Sequence, residues 1–135
     1  MTAELYWLAL TSLLAATLWI PFVIGIGQSN ADGDLPQNFN RPPDLRARPA
    51  WVHRAYRAHL NMIEQLVPFA VLVLIAHVAG VSNGVTQLTA AAFFWLRVAH
   101  ALVMIPNIRA FPLRPVIFTL GWIATLVMGW QVLAA

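Results

Sequence analysis

Arg54, Arg57, Asn61 and Glu64 follow one another at intervals of three and four residues, the spacing that stacks side chains on one face of an α-helix. At 100° per residue these four and Pro68 fall inside an arc of about 80°, and the ladder is about 15 Å long. His59 falls on the other face. A guanidinium is a planar fork that meets a carboxylate through paired N–H bonds. Arg54, Arg57 and Arg114 would therefore crowd into a mouth suited to an anion. For Arg54 and Arg109, snorkelling to lipid phosphates is an equal reading. Downstream, Phe93, Arg97, His100 and Met104 share a second helical face. Charge exposed to lipid is costly, so intramembrane charges mark interior sites. Arg97 and Glu64 reach similar depths, each about 15 Å from opposite ends of their segments, which predicts a Glu64–Arg97 ion pair.

The elements that carry these residues follow from composition. The chain has 135 residues, 60% hydrophobic and only 10% charged. Four spans of about 20 apolar residues would use about 80 of them. That points to an all-α, integral membrane four-helix bundle, and away from a soluble enzyme, a disordered chain or a nucleic-acid binder. All eight basic residues are Arg, and there is no Cys, which excludes disulfides, thiolate metal sites and a Cys nucleophile. No metal site is expected.

The predicted spans cover about 5–27, 51–79, 87–105 and 115–133, in one domain over 1–135. The first lacks the basic start of a signal peptide and exceeds its usual apolar length, so it reads as a retained span. The 28–50 connector carries Pro36, Pro42, Pro43 and Pro49, which forbid a continuous helix. It reads equally as a solvated link or as a lid. Arg41, Arg46, Arg48, Arg54, Arg57, Arg109 and Arg114 lie in or beside this loop and the 106–114 turn. By the positive-inside rule both loops face the cytoplasm and both termini face away from it. Trp7, Trp51 and Trp130 sit near the expected interfaces, as aromatic belts do. Gly121, Thr125 and Gly129 form a small-residue stripe that lets a helix approach closely.

The run Arg54-Ala55-Tyr56-Arg57-Ala58-His59-Leu60-Asn61-Met62-Ile63-Glu64, then Pro68-Phe69, resembles the signature of the MAPEG family, the membrane-associated proteins of eicosanoid and glutathione metabolism. Arg97-Val98-Ala99-His100, with Phe111-Pro112-Leu113-Arg114 after the turn, resembles the family's second conserved region. The resemblance implies a homotrimer of left-handed four-helix bundles, with glutathione as cosubstrate between subunits near the cytoplasmic side. It implies that Arg54, Arg57, Asn61, Glu64 and His100 bind glutathione, with Arg57 meeting a carboxylate. It makes Arg114 the catalytic residue that stabilises the thiolate, since a nearby guanidinium raises the thiolate fraction. The thiolate would attack a lipophilic electrophile or reduce a peroxide. An Arg-, Ala- and Pro-rich chain without Lys suits a bacterium, which places it in the inner membrane with both termini periplasmic.

The sequence departs from the glutathione-using pattern at four positions. Leu60 stands where an Arg is frequent, Met104 and Phe118 where a Tyr is common, and Pro115 where a Ser is common. Each removes a polar contact. A non-catalytic member binding an anionic lipid, or serving as a scaffold, is therefore the alternative. A bis-His haem site through His59 and His100 is disfavoured because His59 faces away from the ladder. A transporter is disfavoured because no apolar helix is broken.

Overall fold

The computed structural model describes residues 1–28, 44–108, 110 and 112–135. Most of the 28–50 connector, Arg109 and Phe111 thus lie outside the described residues. The described residues form five α-helices and no strands: α1 (Ala3–Thr17), α2 (Ile20–Gln28), α3 (Ala50–Val78), α4 (Gly84–Met104) and α5 (Leu113–Leu133). Taking α1 and α2 together, four helical stretches are long and apolar enough to cross a membrane. The chain is an all-helical, multi-pass integral membrane protein.

The first span departs from the single helix expected over 5–27. It breaks after Thr17 and resumes at Ile20. Pro21 is the cause: it has no N–H to give the Thr17 carbonyl, and its ring crowds that carbonyl. The Thr17 hydroxyl turns back onto the Leu13 and Leu14 carbonyls. Pro68, inside α3, leaves that helix continuous.

The turn between α3 and α4 is built by local chemistry. Gly80 takes a φ of 73°, which only glycine adopts without cost. Its N–H reaches the His77 carbonyl, and the Val81 N–H reaches Ala76, the Schellman pattern that satisfies helix-end carbonyls. Asn83 then starts α4 with a capping box. Its side chain accepts from the Val85 and Thr86 amides, and Thr86 Oγ1 accepts from the Asn83 N–H.

The core lies between the helices, with Met62, Phe69 and Val73 of α3 against Ala90 and Phe93 of α4 and Met128 of α5. The Phe69 and Phe93 rings stack 3.8 Å apart and 3° from parallel. The outer surface is apolar too: Val67, Leu74, Leu88, Leu102, Leu120 and Leu126 are all exposed. In water such a continuous surface would drive association; in a bilayer it is the lipid contact. The stripe on α5 acts as expected. Gly121 and Thr125 are buried, and Gly121 faces the side chains of Arg97 and Gln65.

Candidate functional site

The first half of α3 divides the ladder. Its buried stripe runs Val52, Ala55, Ala58, Met62 and Gln65. Arg57 and Glu64 lie on the exposed side, and Arg54 and Asn61 sit on the shoulder between the two. The arc read as one inward face is thus partly turned to the outside of the single chain.

Both shoulder residues reach the end of α4. Arg54 Nε donates to the Ile105 carbonyl at 3.1 Å. Ile105 is the C-cap of α4, where carbonyls lack helical partners and a cation is favoured by the helix dipole. Asn61 Nδ2 approaches Met104 Sδ at 3.7 Å, a weak bond to a soft acceptor. His100 is 5% exposed, with its ring 6.0 Å from that of Phe118. In the first turn of α5, Arg114 Nη2 donates to Asn107 Oδ1, while its Nε is buried without a partner.

Of the six candidate residues, Arg54 and Arg114 therefore bond to the segment joining α4 to α5, Asn61 reaches the last residue of α4, and His100 faces Phe118 of α5. Arg57 and Glu64 do none of these. Among the described residues, none of the six bonds to another.

The expected Glu64–Arg97 pair does not form. Arg97 is 2% exposed, whereas Glu64 is on the exposed side of α3. Arg97 instead donates through Nη2 to the Ile117 carbonyl at 3.2 Å. Its guanidinium carbon lies 5.6 Å from the Phe93 ring centroid and 5.8 Å from that of Phe118, within cation–π range. The reason is rotational. Consecutive helix residues point 100° apart, so the α3 surface that meets α4 and α5 carries Gln65 and turns Glu64 away. Gln65 Nε2 donates to the Phe118 carbonyl at 3.1 Å.

Sequence reasoning missed three polar residues. Gln65 could have been found from its register with Met62, Phe69 and Val73. Asn107 holds a φ of 67°, a conformation Asn tolerates better than most residues; nothing local marks it as the partner of Arg114. Glu4 is buried against α4, a contact between residues some 80 positions apart that no local pattern encodes.

The fold and these residues define a polytopic helical membrane protein whose second span carries a basic, amide-bearing ladder. The model of the MAPEG family matches residues 6–134, and the chain belongs to that family. No curated protein matches it significantly.

Proposed function

We propose that the protein binds a carboxylate-bearing thiol of the glutathione type at its Arg-bearing end and delivers the thiolate to a lipophilic electrophile. The observation that carries this reading is the exposed position of Arg57 and Glu64 on a membrane-spanning helix. Charge facing lipid there is costly, so this face calls for a polar cover. A second copy of the chain with a polar ligand in the seam supplies one, as in the homotrimer typical of the family. Arg57 then meets a ligand carboxylate, and Asn61 and Glu64 hold the peptide. Arg54 and His100 shape the wall, and Arg114 stabilises the sulfur anion. The thiol gives up its proton to water at the Arg-bearing mouth, its sulfur bonds to the electrophilic carbon, and the leaving group departs with the bonding pair. The exposed apolar helix faces offer the lipophilic partner a path from the bilayer.

A second reading has its own support. The amide of Asn61 is spent on Met104, the Nε of Arg54 on a backbone carbonyl, and His100 faces an aromatic ring. With those donors withdrawn, an anionic lipid headgroup on Arg57 would suffice, and the protein would be a non-catalytic membrane component. In either case the Arg-bearing loops face the cytoplasm, in a bacterium across the inner membrane.

Thermal unfolding in detergent separates the two. A ligand of the folded state raises stability by mass action, so millimolar glutathione should raise the melting temperature. Arg57→Ala should abolish the shift, and Arg114→Ala should keep it while losing activity. No shift with the wild type would remove the thiol reading.

A further inference from the structure

The end of the bundle remote from Arg54 and Arg114 holds a second polar constellation. Glu4, in the first turn of α1, is 3% exposed. Its Oε1 accepts from Thr86 Oγ1 at 2.5 Å and Ser82 Oγ at 2.9 Å, and its Oε2 is buried with no partner. Both donors are fixed by the α3–α4 turn, Thr86 through the capping box and Ser82 just after the Gly80 turn. The carboxylate is therefore held in place at one oxygen and left open at the other.

Glu4 and Ser82 also line a cavity of about 240 Å³. Val73, Ala76 and Val81 give it an apolar wall, and His77 and Thr2 complete its polar side. No Arg or Lys lines it, so no basic side chain of the cavity wall faces the carboxylate. An ionised carboxylate offers about four acceptor positions, and leaving a buried one unmatched is costly. The volume is several times the roughly 30 Å³ share of one water. The occupant that answers both features carries a positive donor head and a short apolar body.

We propose that this cavity binds a primary ammonium group on an alkyl chain, with Glu4 Oε2 as its counter-ion. His77 adds a polar side chain to the same wall, and Val73 and Val81 contact the chain. The ammonium can come from a free amine or from the ethanolamine headgroup of a phospholipid. The inference is independent of the thiol site, which lies at the other end of the bundle.

The test titrates the full-length protein in detergent at neutral pH with n-butylammonium chloride and with n-butanol, its neutral counterpart, followed by calorimetry. The wild type should bind the ammonium saturably, and about tenfold or more tightly than the alcohol, as a charge-assisted bond requires. Glu4→Gln keeps an acceptor for Ser82 and Thr86 but removes the charge, and should erase the preference. Equal binding of the two probes by the wild type, or a preference that survives Glu4→Gln, overturns the proposal. If Glu4→Gln fails to fold, Val81→Trp fills the cavity with Glu4 intact: loss of binding supports the site, and unchanged affinity overturns it. Repeating the titration in nanodiscs of ethanolamine or choline phospholipid identifies the source. Competition only in the ethanolamine bilayer assigns the lipid headgroup; equal affinity in both assigns a free amine.

Discussion

Gly121 leaves the space that Arg97 fills. A Cβ built on Gly121 would run into the Arg97 guanidinium and would lie 2.6 Å from Gln65 Oε1. The close approach of α4 and α5 and the burial of a full guanidinium between Phe93 and Phe118 are thus one arrangement. Alanine gains about 1 kcal/mol over glycine in helix propensity, but overpacking a tight site costs about 1–3 kcal/mol. Both side chains that would have to give way are buried, Arg97 between Phe93 and Phe118 and Gln65 on the Phe118 carbonyl. Gly121→Ala should therefore destabilise the protein, seen as a lowered melting temperature in detergent.

Arg97 and Glu64 should behave as strangers. Arg97 is enclosed by Phe93, Phe118 and the Ile117 carbonyl, and Glu64 is on the outside of α3. In a double-mutant cycle with Arg97→Gln and Glu64→Gln, the two stability changes should add within about 0.5 kcal/mol. A coupling above about 1 kcal/mol would mean that the pair meets after all.

Asn107 is a positioning residue for Arg114. Asn107→Gly keeps the left-handed backbone, which glycine adopts freely, and removes the Oδ1 that holds the guanidinium. Under the thiol reading, glutathione affinity should hold within about threefold while turnover falls about tenfold or more, because a misplaced group acts on the reacting state. The ultraviolet absorbance of bound thiolate should fall with turnover. A matching loss of affinity with unchanged absorbance would assign Asn107 to the fold alone.

Pro21 sets the break in the first span. Pro21→Ala restores an N–H for the Thr17 carbonyl and removes the ring clash, so α1 and α2 should merge. The chain has no Cys, so spin labels at Ser12→Cys and Gln28→Cys report without background. Their backbone separation should approach the roughly 24 Å of a straight helix of that length. An unchanged distance would place the cause of the break in packing.

The Arg distribution predicts topology. A periplasm-active reporter fused after Ala135 should be active in a bacterial host, and a cytoplasm-dependent one silent. The opposite pattern would reverse the orientation.

The all-helical, membrane-spanning class was legible in the sequence because it depends on bulk quantities. Sixty per cent apolar residues and long uncharged runs act locally or additively, and each can be read one segment at a time. The family signature on α3 was legible for the same reason: it is a spacing along one helix. The partners of those residues were not. Which of Glu64 or Gln65 faces α4 and α5 depends on the rotation of α3 against them, and one residue of register is 100°. That rotation is set by the summed packing of Phe69 on Phe93, Gly121 beside Arg97 and Met128 in the core, contacts among three separate helices. The same long-range packing seals Glu4 beneath the α3–α4 turn and turns Arg57 outward. Only the assembled bundle decides those placements, because no local preference separates a buried face from an exposed one when lipid and core are equally apolar.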